Sequence, residues 1–218
     1  MHYKIKGIEI RSENAAKPIA NAAAPLVSWL SARPFTPSAL DFGCGKLRYT
    51  HYLADKSNRL GVVDSDVQLN RLQRINGEYT SVKQYIEKRL LGCMIHELNA
   101  FWKNPFQEYH FVLCANVLSA IPCPKARARS LHAIHTSLSK NGQVLFVNQH
   151  TNSYFTAARD NPAAVAHLDG WITKSKATAS YYGILNKQSV IKLVGRFGFV
   201  IEKAWVEGQS NYVLAQKV

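Results

Sequence analysis

The chain has 218 residues, 47% of them hydrophobic, which suits one large α/β domain with a sizeable core better than two domains. Its 27 Lys and Arg against 14 Asp and Glu give a formal charge of +13, which favours acidic partners such as phosphate, carboxylate or nucleic acid, although surface lysines also serve solubility. Cys44, Cys93, Cys114 and Cys123 form no C-x-x-C pair and no zinc-spaced set, residues 1–6 lack the apolar core of a signal peptide, and no apolar run is long enough to cross a bilayer, so the expectation is a reduced, cytoplasmic protein with no metal and no membrane partner.

Residues 14–32 are Ala-rich, with Ile19, Leu26 and Leu30 at helical spacing and Pro18 and Pro25 among them, which predicts an N-terminal helical segment within 1–32, kinked or split in two. A short strand, Ser38–Phe42, ends at Gly43; a helix over 46–55 and a second strand, Leu60–Asp64, follow. Leu69, Leu72 and Ile75 predict a helix over 67–75 ending before Gly77, and Val82, Tyr85, Ile86 and Leu90 predict another. Cys93–Leu98 reads as a weaker strand and Phe111–Ala115 as a buried one. Pro124 opens a helix that buries Leu131, Ile134 and Leu138, and Asn141-Gly142 turns the chain into the strand Gln143–Val147. Residues 149–186 are less regular. Val190, Leu193, Val194 and Phe197 mark a last helix, and Phe199–Val206 and Tyr212–Lys217 a closing hairpin. Strands alternating with helices predict right-handed βαβ units, a mostly parallel sheet with helices on both faces, and an antiparallel strand from the hairpin. In such a sheet ligands sit beyond the carboxyl ends of the strands, here 43–47, 64–66, 98–101, 116–119 and 148–154.

Asp41-Phe42-Gly43-Cys44-Gly45 lies between a strand and a helix. Gly43 and Gly45 let the backbone turn tightly and approach a ligand, and the helix start offers free N–H groups. Asp64 ends the next strand, where a carboxylate accepts from both hydroxyls of a ribose, with Ser65 beside it. These features together specify a nucleoside-containing ligand. A dinucleotide fingerprint requires glycine at position 48, where this chain has Arg48, and leaves Asp41 unexplained.

With its acid-x-Gly-x-Gly motif at 41–45, the sequence resembles the class I S-adenosylmethionine-dependent methyltransferases, with Leu47 in place of a frequent further glycine. The resemblance is specific over about 39–76, looser to 148 and topological beyond. It implies a Rossmann-like α/β fold with a seven-stranded sheet, and S-adenosyl-L-methionine as cofactor. It implies that Asp41 reaches the methionine amino group, that Gly43, Cys44, Gly45 and Lys46 lie against the methionine portion, and that Asp64 binds the ribose. It also implies that Asn99 contacts the adenine and Asn116 the methionine portion; an ordinary strand-end cap is the alternative for both.

The acceptor is less legible. Asn116-Val117-Leu118-Ser119 stands where amino-methylating nucleic-acid enzymes carry an Asn/Asp/Ser-Pro-Pro-aromatic motif, and Pro122-Cys123 lies too far along for a cytosine-methylating nucleophile. No acid occurs from Phe111 to Ala158, and residues 171–182 interleave Trp171, Tyr181 and Tyr182 with Lys174 and Lys176, a mixture that stacks rings and pairs anions, or simply covers the sheet. His150 and Tyr154, after the fifth strand, are the candidate catalytic groups, a solvated loop histidine being the alternative for His150. The expectation is methyl transfer to a small anionic or aromatic acceptor bound by segment 149–186; nucleic acid as acceptor, from the +13 charge, or a scaffold without turnover are the alternatives.

Overall fold

In the computed structural model, which describes residues 1–105, 108–150, 153–175 and 178–218, the chain opens with β1 (His2–Ile5), β2 (Ile8–Arg11), 3-10 turns at Ser12–Ala15 and Ile19–Asn21, and α1 (Ala24–Ala32). Then come β3 (Thr36–Phe42), α2 (Thr50–Ala54), β4 (Ser57–Asp64), α3 (Asp66–Asn70), β5 (Gln73–Ile75), β6 (Glu78–Thr80), α4 (Val82–Arg89), β7 (Met94–Glu97) and α5 (Leu98–Lys103). The second half holds β8 (Tyr109–Ala115), a 3-10 turn at Leu118–Ala120, α6 (Pro124–Ser137), β9 (Leu138–Gln149), α7 (Ser153–Asp160), β10 (Val165–His167), β11 (Gly170–Ser175) and β12 (Thr178–Gly183). It closes with α8 (Lys187–Gly195), β13 (Phe199–Glu207) and β14 (Ser210–Lys217).

Seven strands form the main sheet in the order β13-β14-β9-β8-β3-β4-β7. β9, β8, β3, β4 and β7 pair in parallel, and the β13-β14 hairpin adds the antiparallel edge. The expected Rossmann-like α/β fold is therefore present. Leu98, Phe101, Leu131, Ile134, Val190 and Val194 from α5, α6 and α8 pack on one face. Leu26, Leu30 and Leu53 from α1 and α2, and Leu69, Val82 and Ile86 from α3 and α4, pack on the other. The chain leaves β3 on one side toward β4 and returns on the other as β8, so a switch point opens beside the carboxyl end of β3. Among the described residues no helix is long and apolar enough to cross a membrane.

Three local expectations need correction. The segment 1–32 is helical only after residue 11: Tyr3, Ile5, Ile8 and Ile10 alternate with polar residues, and Lys6 and Gly7, both at positive φ (47° and 75°), close β1 onto β2 as a tight hairpin. The helix at 67–75 stops at Asn70, because Asn76-Gly77 (φ 45° and 87°) is a hairpin turn joining β5 and β6, not a helix end. The helix expected from 46 starts at Thr50, since Leu47 takes φ 60° and breaks the right-handed run. The region 149–186 is more ordered than its sequence suggests. β12 pairs with β11 and β11 with β10, and β12 meets β2 in parallel at Ala179 and Ile10. A five-stranded sheet in the order β1-β2-β12-β11-β10 results, with Ile10, Ile172, Ala179 and Tyr181 as its buried contact. Two segments far apart in sequence thus become one cover.

Candidate active site

The loop after β3 is built by backbone demands. Gly43 has φ 78°, its N–H donates to the Val63 carbonyl at 2.8 Å, and a Cβ there would lie 2.3 Å from a Val117 methyl. Leu47 bears a left-handed φ that costs an L-residue about 1–2 kcal/mol. Its side chain is fully buried with Val62 and Leu69, which offsets that strain and shows why leucine replaces a glycine here.

Two carboxylates flank the loop. Asp41 is buried and accepts a hydrogen bond from Thr50 Oγ1 at 2.6 Å. Burial raises its pKa to about 6, against the lowering effect of the Thr50 bond. Asp64 accepts from the Gly45 N–H at 2.8 Å and the Ser65 N–H at 2.7 Å. Burial pushes its pKa up as well, and those two N–H groups restrain the rise. Ser65 is the N-cap of α3, its hydroxyl accepting from the Gln68 N–H. Gln68 ties the loop to α3 by donating to the Gly45 carbonyl at 2.6 Å, and its buried Oε1 has no partner.

Asn116 follows β8 at φ 61°, where asparagine is one of the few tolerated residues. Its Oδ1 accepts from the Gln149 N–H at 3.1 Å, joining the ends of β8 and β9. Asp41, Gly43, Cys44, Gly45, Asp64 and Asn116 all line one cleft, with Lys46, Arg48, Gln68 and Leu98. The fourth side is a strap, Ser12–Lys17, whose buried Glu13 pairs with the Met1 ammonium at 2.7 Å while its carbonyl accepts from Arg71 at 2.8 Å. The whole depression, open to solvent, is about 770 Å3.

A second cavity of about 460 Å3 adjoins the cleft and shares Ala15, Lys17, Arg48, Asn116 and Ala120 with it. Tyr181, Tyr182, Phe155, Ser119 and Gln149 complete its walls. Tyr181 is anchored rather than free: its hydroxyl bonds Asp169 and accepts from Arg127 at 3.2 Å, and Arg127 forks onto both Asp169 oxygens. Burial opposes the Asp169 charge, but Arg127 and Tyr181 together hold its pKa below the ordinary value.

The remaining sequence candidates fall elsewhere. Asn99 is exposed, in the first turn of α5, and both its N–H and its side-chain amide donate to Glu97, which caps the helix; Leu98 faces the cleft instead. Trp171 lies opposite Tyr182 on β11, one strand farther out, and does not line the cavity. His150 lines neither cavity, and its backbone N–H donates to Gln209. The side chain of Tyr154, and Lys176 entirely, lie outside the described residues. Glu13, Lys17, Gln68, Arg127 and Asp169 escaped the sequence reading. Ser65 and Gln68, three apart after a strand, were the one available local cue; Arg127 and Asp169 are 42 residues apart and share no pattern.

No protein-family model matches the chain. It is 34% identical over 224 residues to the uncharacterised protein YmfD of Escherichia coli K12, covering 98% of this chain and 95% of that one. Among solved structures it is similar to a SAM-dependent methyltransferase of Methanosarcina mazei, with TM-score 0.60, 14% identity and coverage of 90% and 98% of the two chains. It is also similar to the 1,6-didemethyltoxoflavin-N1-methyltransferase of Burkholderia thailandensis, solved with 1,6-didemethyltoxoflavin and S-adenosylhomocysteine, with TM-score 0.62, 15% identity and coverage of 91% and 80%. A third is the N-methyltransferase NodS of Bradyrhizobium japonicum, solved with S-adenosylhomocysteine, with TM-score 0.58, 15% identity and coverage of 92% and 88%. At these identities the likeness is one of fold.

Proposed function

The chain belongs to the family of YmfD and has the class I methyltransferase fold, and from that premise we propose that it binds S-adenosyl-L-methionine in the Gly43–Asp64 cleft and methylates a small molecule in the adjoining cavity. The observation that carries this reading is the meeting of the two spaces at Asn116: a nucleoside-type cleft and an acceptor-sized cavity share one wall. The cleft residues fit the cofactor. Asp41 is the buried carboxylate for an ammonium, Asp64 the acceptor for ribose hydroxyls, Gly43–Lys46 the close backbone, and Gln68 Oε1 a buried acceptor with no partner of its own. S-adenosylhomocysteine, the demethylated form of the cofactor, on two structures of this fold supports the assignment.

When bound, the cofactor supplies an electrophilic methyl carbon on a sulfonium. The chain supplies position and exclusion of water: Asn116 fixes the line of approach, while the strap 12–17 and β12 cover it. An amine acceptor needs little more, and among the described residues no imidazole lines the shared wall. The test is release of S-adenosylhomocysteine when protein and cofactor meet the small-molecule fraction of a cell extract. Product above the no-extract control, lost in Asp64→Ala, is the expected outcome; product at control level overturns the reading. The +13 charge favours a second reading, nucleic acid as acceptor. Methyl incorporation into the RNA or DNA fraction, with retention falling steeply with salt, would select it.

A further inference from the structure

Resting on the methyltransferase reading, we infer that the 460 Å3 cavity takes a small aromatic carboxylate, with Lys17 and Arg48 as the anion grip and Phe155 and Tyr182 as the apolar wall. Among the described residues, Lys17 and Arg48 are the only formally charged ones lining it, and no acid joins them. Neither has a carboxylate within ion-pair distance among the described residues. Arg127, just behind the wall, is buried and forked onto Asp169, so it is not available to a ligand in the cavity, whereas Arg48 is half-buried and Lys17 exposed. Asp41 lies near enough to Arg48 to feel its charge, but it faces the cleft and is held by Thr50.

The bound donor sharpens the argument. A sulfonium cofactor held in the cleft would add positive charge near Lys17, which is exposed, and Arg48, which is half-buried. An anionic acceptor would find complementary charge on that side of the cavity. A carboxylate matches the planar fork of one arginine. A phosphate would be better served by a helix N-terminus or a nest of backbone N–H groups, and among the described residues no first-turn residue of α1, α6 or α8 lines the cavity. The aromatic wall and the modest volume favour a single planar ring over a flexible chain. Asn21, Ser119 and Gln149 supply neutral polar contacts for the acceptor's other substituents.

The test uses matched probes on the full chain, with and without S-adenosylhomocysteine: salicylate against salicylamide, anthranilate against anthranilamide, and phenyl phosphate, followed by ligand-detected NMR and calorimetry. The carboxylates should bind roughly ten- to a hundredfold tighter than their amides, the worth of charge-assisted hydrogen bonds. Arg48→Gln and Lys17→Gln should each erase most of that preference, with amide affinity changed by less than about twofold and partial rescue by Arg48→Lys. Lys17 is exposed, so its variant keeps the fold if Arg48→Gln does not. No carboxylate binding up to roughly 5 mM, equal affinity for acid and amide, or tighter binding of phenyl phosphate overturns the proposal. The two readings separate cleanly. S-adenosylhomocysteine binding without carboxylate preference removes this inference alone; carboxylate preference without S-adenosylhomocysteine binding removes the methyltransferase reading and leaves an anion site.

Discussion

At Asp41, burial raises the carboxyl from 3.8 to about 6, while the Thr50 hydrogen bond opposes the rise. The folded chain therefore holds this proton more tightly than the unfolded one. Between pH 3.8 and about 6 the native state binds more protons, so the contribution of Asp41 to stability falls as pH rises through that window. At neutral pH the ionised carboxylate costs about 3 kcal/mol. Asp41→Asn removes that cost while keeping an oxygen for Thr50. Denaturant unfolding at pH 7.5 should show a gain of up to about 3 kcal/mol, with a flatter profile between pH 4 and 6, while S-adenosylhomocysteine binding weakens by about tenfold or more. In the wild type the same affinity should drop as pH falls below about 6, where Asp41 loses the charge that meets the ligand's ammonium. Gly43 is the second residue-scale test. Gly43→Ala puts a methyl 2.3 Å from Val117 at φ 78°, and should lower Tm and abolish cofactor binding together. Val117→Ala in the same chain relieves the clash and leaves the φ strain, so it should restore only part of the stability.

Between elements, the Arg127–Asp169–Tyr181 cluster fastens the start of α6 to β12 and so sets the back wall of the second cavity. Asp169→Asn leaves a buried guanidinium without its counter-ion and should cost about 3 kcal/mol in denaturant unfolding; Tyr181→Phe, which removes a hydroxyl and leaves the pair, should cost about 1 kcal/mol. A larger loss from Tyr181→Phe than from Asp169→Asn would contradict the hierarchy. The strap 12–17 and the β2-β12 pairing should gain amide protection on adding S-adenosylhomocysteine, because the strap lines the proposed cofactor cleft and follows directly from β2. The main sheet was readable in sequence because its inner strands are short apolar runs, such as Phe111–Ala115, separated by helices with a clear apolar face. The loop was readable because Asp41, Gly43, Gly45 and Asp64 are chemically demanding positions. The β1-β2 and β5-β6 hairpins were missed although Lys6-Gly7 and Asn76-Gly77 are turn dipeptides: in one case an Ala-rich neighbour dominated the reading, and in the other Leu69, Leu72 and Ile75 imitate a helical face. Asn99 lies outside the cleft lining because its N–H and side-chain amide both donate to Glu97, the cap of α5, while Leu98 faces the cleft. Nothing local could join residues 10 and 179, or 127 and 169.

On the scale of the molecule, one sheet carries the core and a second, made from both ends of the sequence's irregular parts, closes the site. Under the proposed function, cofactor affinity belongs to the loops after β3 and β4, and acceptor choice to the strap, α7 and β12. Tyr182→Ala should therefore change which acceptor is used while cofactor affinity stays within about twofold. The central claim is that the Gly43–Asp64 cleft binds S-adenosylmethionine. Calorimetry of the wild type and Asp64→Ala with S-adenosylhomocysteine tests it most directly. The account predicts one site per chain with affinity in the micromolar range, weakened roughly ten- to a hundredfold in Asp64→Ala by loss of the ribose hydrogen bonds. No heat from the folded wild type up to roughly 1 mM, or equal affinity in the two proteins, would contradict it.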